Sequence, residues 1–253
     1  MSFITLNGNG AVFFDLESQN TINESENEDT TLSKSSSLFS KYIDLKEGTI
    51  FHLFEKGRVE QEKKKYQNSS WSSRFKHSVS LGCKMTLRAS PLVLGFTIYT
   101  YLNSKGPSHT FMTRTERAIQ EIARAFIPAV VIAPIVEEIM FRGILQNGIH
   151  GGQILAEKIA PKCISETEAF KKITSPEARI LGAHIPFALA HLNNASAIGL
   201  EFAIGQTTNL LLQPAISISN EIGGIDQSIT THAVNNFCTV MLGVTLGFIF
   251  DTL

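Results

Sequence analysis

The stretch from Ile132 to Leu145 reads IAPIVEEIMFRGIL. It is an apolar run that nevertheless carries two adjacent carboxylates, Glu137 and Glu138, and one guanidinium, Arg142. Ionised groups in an apolar helix are costly unless they pair or take part in chemistry. Glu138 and Arg142 are four residues apart, so they share a helix face and can form an ion pair. Glu137 lies about 100° further round the helix, and the rest of the chain must supply its partners.

The composition divides the chain into a polar N-terminal part and a more apolar remainder. The chain has 253 residues, of which 43% are hydrophobic and 18% charged, and its net charge is −1. This balance provides no argument for a nucleic-acid partner. The three cysteines, Cys83, Cys163 and Cys238, are far apart and odd in number, which disfavours a disulfide framework and a thiolate zinc site. We expect a polar extension over residues 1–85 and a membrane-embedded domain over residues 86–253.

The N-terminal part of the chain contains four distinct kinds of sequence. Residues 4–14 place two β-prone runs around an Asn-Gly-Asn-Gly turn, which predicts a hairpin; a phosphate-binding Gly-x-Gly is disfavoured because nothing βαβ-like follows. Residues 15–37 are acidic and poor in apolar residues, which predicts a disordered linker. Residues 38–55 predict a short packed or interfacial helix. Residues 56–88 hold nine bases and two acids, which form either a solvated face or a juxtamembrane segment on the cytoplasmic side. We favour the second interpretation because an apolar segment follows.

Several uncharged stretches follow the basic segment. Residues 89–102 are apolar but short for a membrane span. A capping-box pattern at Thr113 predicts a long helix that ends near Gly148, and the prolines inside it, Pro128 and Pro134, can kink it.

Residues 150–179 are charged and predict a solvent-exposed, partly helical connection. Residues 202–220 carry no charged side chain, and residues 227–250 carry none apart from His232. Both stretches are long enough to cross a bilayer. The pattern predicts an all-α, polytopic membrane helix bundle with a polar, partly disordered N-terminal extension. A soluble all-α protein that acts as a binding module is the alternative, because the mean hydropathy is only +0.07 and several apolar runs are short or broken.

Two further motifs place polar side chains inside apolar segments, Phe187-x-x-x-His191 and His232-x-x-x-Asn236. In each pair the two side chains are four residues apart and face the same way on a helix. Together with the Glu137 segment, three separate helices can present polar groups to a common interior.

Such a set of groups can activate water. Burial in an apolar cavity makes a carboxylate a competent base near neutral pH. Glu137 and His191 could hold and deprotonate a water, while His232 and Asn236 donate hydrogen bonds to the oxyanion of a peptide carbonyl. Arg142 would neutralise Glu138, with Glu137 as the reactive carboxylate.

Each motif alone also has an ordinary structural interpretation. A Glu-Glu-x-x-x-Arg sequence is common on solvated helix faces, a single histidine in an apolar run is often a hydrogen-bonded core residue, and an asparagine at a helix end is often a cap. The argument for catalysis rests on the occurrence of all three motifs, in order, inside apolar segments.

The three motifs resemble those of the CPBP intramembrane proteases, the Abi or CAAX-protease-and-bacteriocin-processing family, which includes the type II CAAX prenyl endopeptidases. The matching residues are Glu137 to Arg142, Phe187 to His191 and His232 to Asn236, and the resemblance covers about residues 115–250. It implies a membrane-embedded helical protease in which Glu137 and His191 activate water and His232 and Asn236 form the oxyanion hole. Glu138, Arg142 and Phe187 would support them.

The resemblance also implies partners and a location. These are membrane lipid and a peptide or protein substrate, including a prenylated one, in a bacterial cytoplasmic membrane with the N-terminus in the cytoplasm. No cofactor is expected, because Asn236 is a poor zinc ligand; the alternative is a divalent metal such as zinc on Glu137, His191 and His232. A non-catalytic protein of the same fold, acting as a bacteriocin immunity factor or scaffold, is the alternative function.

Overall fold

The computed structural model describes residues 46–55, 57–103, 116, 120, 123–124 and 126–252. The predicted hairpin, the acidic linker and the predicted helix start at Thr113 lie outside the described residues. The residues from Leu45 to Leu253 form one compact unit. The division predicted at residue 85 falls inside a single long helix, and it stays a prediction.

Every regular element in the described part of the chain is a helix, which confirms the predicted all-α class. The first three are α1 (Ile50–Phe54), α2 (Arg58–Gln67) and α3 (Trp71–Asn103). A continuous helical rod follows, made of a π-helical segment (Ile127–Ile132), α4 (Ala133–Glu138), a second π-helical segment (Ile139–Gln146) and α5 (Asn147–Ile159). The rest are α6 (Lys162–Ser165), α7 (Glu168–Ile173), α8 (Pro176–Ala190), a 3₁₀ turn (His191–Asn194), α9 (Ala195–Ile198), α10 (Leu200–Leu211), α11 (Ala215–Gly223) and α12 (Ile225–Thr252).

The helical rod differs from the predicted helix in its end and in its geometry. It continues to Ile159 instead of ending near Gly148. The N–H of Ala133 donates to the carbonyl of Pro128, five residues back, which is the π-helical spacing. Pro134 has no N–H to donate to the preceding turn, so the regular α-helical ladder cannot run through this point. The two carboxylates therefore lie on a short α-helical piece between two wider segments.

Helix α11 is the centre of the packing, because nearly all of its residues are buried. Its side chains contribute to two apolar clusters. One cluster contains Ile216 with Phe187 of α8 and Met85 of α3. The other contains Ile218 with Leu53 of α1 and its neighbours on α2 and α8. Residues 46–67, which lie in the predicted polar extension, are thus packed onto the same core as the apolar helices.

Helices α3 and α12 pack along each other and approach most closely at Gly82. A Cβ atom on Gly82 would lie 2.7 Å from the carbonyl oxygen of Thr231 and 2.9 Å from the side chain of Val234. One turn later, the hydroxyl of Thr86 donates to the carbonyl of Asn235 over 3.1 Å. The small residue permits this contact between backbones, as it does in many membrane helix pairs.

Among the described residues, one helix is long and apolar enough to span a membrane. It is α12, over Ile225–Phe250, whose most apolar window has a mean hydropathy of 1.7 and no buried residue. The prediction that residues 202–220 form a second span is wrong, because α10 ends at Leu211 and α11 begins at Ala215. Pro214, between them, cannot continue a helical hydrogen-bond ladder and restricts the residue before it.

Several bases of the predicted juxtamembrane segment pair with acids of the same chain. Lys63 contacts Glu221 over 2.9 Å, and Lys84 forms an ion pair with Glu47. Arg58 contacts Glu55 over 2.7 Å. The exposed lysines of the segment include Lys64, Lys65 and Lys76.

The close approach at Gly82 leads to a stability prediction. Replacing Gly82 by alanine should destabilise the protein by about 1–3 kcal/mol, because the added methyl group overpacks the α3–α12 contact. Gly95→Ala is the matched control on the same helix, where an added Cβ meets nothing within 4 Å. Thermal unfolding of both variants in detergent measures the difference. Equal melting temperatures would contradict the close approach.

Candidate active site

The buried ion pair between Glu138 and Arg142 lies at the centre of the candidate site. Both side chains are 0% exposed, and Nη1 of Arg142 lies 3.2 Å from Oε1 of Glu138. The guanidinium also lies over the ring of Phe187, with its Cζ 4.0 Å from the ring centroid. The pair predicted from the four-residue spacing is therefore present, and a cation–π contact with α8 accompanies it.

His232 of α12 lies between the two adjacent carboxylates. Its Nδ1 is 2.9 Å from Oε1 of Glu138, and its Nε2 is 3.8 Å from Oε2 of Glu137. A carboxylate can only accept a hydrogen bond, so Nδ1 carries a hydrogen and donates it to Glu138. Nε2 can then act as a donor only when the ring is doubly protonated. Glu138 thus contacts both Arg142 and His232. The sequence predicted the contact with Arg142 but not the one with His232.

The two carboxylates differ in exposure. The side chain of Glu138 is fully buried, whereas that of Glu137 is 32% exposed. Glu137 lines a largely apolar cleft of about 630 Å³ together with Met140, Phe141 and Ile144. Of the two, Glu137 is therefore the carboxylate that water or a substrate can reach.

Phe187 joins the polar groups of the three motifs. It is fully buried, and its ring centroid lies 4.8 Å from that of His191 and 5.6 Å from that of His232, edge-to-face in both cases. It is also the ring beneath Arg142. The sequence predicted that Phe187 and His191 share a helix face, but hydrophobic periodicity alone could not show that Phe187 also contacts Arg142 and His232.

His191 begins the 3₁₀ turn that follows α8 and is partly buried. Its Nδ1 lies 2.9 Å from the carbonyl oxygen of Phe187. Because a carbonyl accepts, Nδ1 carries the hydrogen, and Nε2 of the neutral ring keeps its lone pair. Both His191 and Glu137 are described, and no hydrogen bond or ion pair joins them directly.

Asn236 follows His232 by one turn on α12. Its Nδ2 donates to the carbonyl of Ala129, in the first π-helical segment, over 2.8 Å. An amide nitrogen has two hydrogens, so one remains for another acceptor. Asn236 lines a second cleft, of about 510 Å³, between α3, α10 and α12. The walls of this cleft are mostly apolar and include Leu92, Phe96 and Phe202.

His184, which shares a face with His191, is a hydrogen-bonded core residue. Its Nε2 lies 2.7 Å from the carbonyl oxygen of Leu210, and its Nδ1 lies 3.5 Å from Oγ of Ser217. Both ring nitrogens therefore have neighbours that account for them, and His184 takes no part in the arrangement around Glu137.

A metal site requires ligand atoms that converge on one point. In the part of the chain that the structure describes, one group of three or more histidine, cysteine or acidic side chains has ligand atoms all within 4.8 Å of one another. That group is Glu47, Glu62 and His77. The alternative set Glu137, His191 and His232 is not so arranged. The sequence had not singled out the first group, because its members are scattered among ordinary charged residues.

The helical bundle thus contains a buried cluster of carboxylate, arginine and histidine side chains. The family model for the type II CAAX prenyl endopeptidases, described as Rce1-like, matches residues 119–252, and the chain belongs to this family. The resemblance drawn from the three motifs is thus confirmed, as is the predicted helical membrane fold. The family is one of proteases that act on peptide or prenylated protein substrates in membranes. No curated protein and no solved structure matches the chain.

The difference in burial between the two carboxylates leads to a stability prediction. Glu138→Gln should destabilise the protein by about 3–5 kcal/mol, because it leaves Arg142 buried without its counter-charge. Glu137→Gln should change stability far less, because Glu137 is partly exposed and its one ion-pair contact, to His232, is long. Thermal unfolding in detergent compares the two variants. A larger loss for Glu137→Gln would contradict the assigned roles.

Proposed function

We propose that the protein is an intramembrane endopeptidase in which Glu137 activates the attacking water. The observation that carries the proposal is the division between the two carboxylates. Glu138 is fully buried and occupied by Arg142 and His232, whereas Glu137 is partly exposed and borders a cleft. A carboxylate with restricted access to solvent and no strong ion pair is suited to act as a general base.

The remaining groups have complementary roles in the proposed reaction. Nε2 of His191 accepts a hydrogen bond from the water, since its Nδ1–H is held by the Phe187 carbonyl. Glu137 takes the proton as the water oxygen bonds to the peptide carbonyl carbon. His232 and the second amide hydrogen of Asn236 then donate to the oxyanion. Each such donor contributes about 10²–10³-fold in rate.

Collapse of the tetrahedral intermediate completes the proposed hydrolysis. The carbon–nitrogen bond breaks, and the proton held by Glu137 passes to the leaving amine. The products are a new carboxylate and a new amine, and no other reactant is needed. We propose that no metal takes part, because Asn236 is a poor ligand and the Glu137, His191 and His232 ligand atoms do not converge.

We propose a lipid-modified or membrane-bound peptide, cut near its C-terminus, as the substrate. The apolar cleft beside Asn236 supports this proposal, since aromatic and aliphatic side chains line it and it reaches a proposed oxyanion donor. The proposed location is a bacterial cytoplasmic membrane with the N-terminus in the cytoplasm. The exposed bases Lys64, Lys65 and Lys76 support this orientation.

The first test removes the base without changing the shape of the side chain. Glu137→Gln should lower the formation of shortened C-termini at least ~10²-fold in cells, as measured by C-terminal peptide proteomics against wild type. Glu157→Gln, at an exposed position on α5 of the same rod, is the control and should retain full activity. Shortened C-termini that persist in Glu137→Gln would overturn the proposal and favour a non-catalytic immunity or scaffold role.

The second test concerns the oxyanion donor. Asn236→Ala should lower the initial rate of peptide cleavage by about 10²–10³-fold, because one donor to the developing negative charge is lost. The melting temperature of the variant is measured in parallel, since Asn236 also donates to Ala129. A folded variant with nearly wild-type cleavage would remove Asn236 from the proposed mechanism.

A further inference from the structure

A second group of polar side chains converges outside the region matched by the protease family. Glu47 precedes α1, Glu62 lies on α2, and His77 lies near the start of α3. Their ligand atoms all lie within 4.8 Å of one another. Three separate elements thus contribute one group each to a single point, at the junction where the N-terminal helices meet α3.

The three side chains are largely shielded from solvent. The side chain of His77 is 5% exposed, that of Glu62 is 15% exposed and that of Glu47 is 17% exposed. The ring of Tyr66 stacks on His77, with the centroids 4.3 Å apart. Burial of two carboxylates and an imidazole is costly unless each has a hydrogen-bond or ion-pair partner.

One oxygen of each carboxylate lies near a lysine or arginine, and the other lies near a histidine. Oε2 of Glu47 pairs with Lys84, and its Oε1 is 3.5 Å from Nδ1 of His77. Oε1 of Glu62 is 3.4 Å from Nε of Arg58, and its Oε2 is 3.2 Å from Nε2 of His52. The ion pairs therefore leave one oxygen of each carboxylate on the side of the histidines.

His77 itself is incompletely satisfied. Its Nε2 is buried and has no hydrogen-bond partner among the described residues, and its Nδ1 lies 3.5 Å from the nearest carboxylate oxygen. Buried polar atoms in native proteins usually have partners. A buried imidazole with such weak contacts lies beside two carboxylate oxygens that pair with no lysine or arginine, and together these groups have the donor atoms of a metal site.

His52 orients Glu62 instead of acting as a fourth ligand. Its Nδ1 accepts the N–H of Gly48 over 3.2 Å, so its Nε2 carries the hydrogen and faces Glu62. Gly48 has a φ of +78°, and a Cβ there would lie 2.7 Å from Cβ of Ala215. This constrained turn presents Glu47 on one side and fixes the tautomer of His52 on the other.

We propose that Glu47, Glu62 and His77 bind one divalent transition-metal ion, Zn²⁺ by the mixture of nitrogen and oxygen donors, and that the ion clamps the N-terminal helices α1 and α2 to α3. Zinc takes such ligands at about 2.0–2.2 Å. The clamp is structural and involves none of the residues assigned to peptide hydrolysis. The alternative is a network of ion pairs alone, held by Lys84 and Arg58.

The experiment measures binding of the metal alone to the full-length protein in detergent. Zinc content is determined by inductively coupled plasma mass spectrometry after equilibrium dialysis, and affinity is determined by titration with Co²⁺ as a spectroscopic probe. Wild type should bind one equivalent and melt at a higher temperature when zinc is present. His77→Gln should bind at least ~10-fold more weakly, and His52→Gln about 10–100-fold more weakly.

Glu60→Gln is the matched control, because Glu60 is exposed on the same helix as Glu62. It should bind zinc as wild type does. Two results would overturn the proposal: no stoichiometric binding by wild type at micromolar zinc, or equal binding by wild type and His77→Gln. Neither readout depends on peptidase activity, so the outcome is independent of the function proposed above.

Discussion

The ion pair between Glu138 and Arg142 is the constraint on which the rest of the site depends. Both charges are removed from solvent, and such a pair is stable only if its geometry is good and its surroundings polarisable. Phe187 supplies an aromatic face to the cation and His232 a hydrogen bond to the anion. The pair therefore links the rod to α8 and α12 and sets the positions of the helices that carry all three motifs.

The ion pair with Arg142 also distinguishes Glu138 from its neighbour in sequence, Glu137. On a helix, adjacent residues point in different directions, so Glu138 enters the core while Glu137 reaches a cleft. Two π-helical segments flank α4, and π-helical turns are frequent at functional sites. A structural carboxylate next to a reactive one is the physical basis of the proposed chemistry.

The N-terminal helices combine apolar packing with a second group of buried polar side chains. Helices α1 and α2 pack onto α11 through Leu53 and Val59, while their charged groups meet those of α3 at Glu47, Glu62 and His77. Some of the basic residues predicted to face lipid pair with acids here, and a buried acid without such a counter-charge would be strongly destabilising. Packing of this segment and its charge pattern are thus coupled.

Much of the architecture followed from one-dimensional features. The helical class, the three motifs, the pairing of Glu138 with Arg142 and the family could be inferred because they depend on local spacing of three or four residues. The broken stretch at Pro214 and the extended rod were predicted less well, because a count of uncharged residues does not detect how prolines divide or distort helices. No signal in the sequence indicated the group of Glu47, Glu62 and His77, since its members are 15 residues or more apart.

The sequence by itself determined which helix faces are apolar and which of them carry ionisable groups, because side-chain periodicity is a local property. The tertiary structure alone decided which of these groups meet. It placed His232 between Glu137 and Glu138, gave Phe187 three polar neighbours, and directed Asn236 to the carbonyl of Ala129. The contacts of His232 with Glu138 and of Asn236 with Ala129 join residues 94 and 107 positions apart. They arise from the packing of whole helices, which no short stretch of sequence specifies.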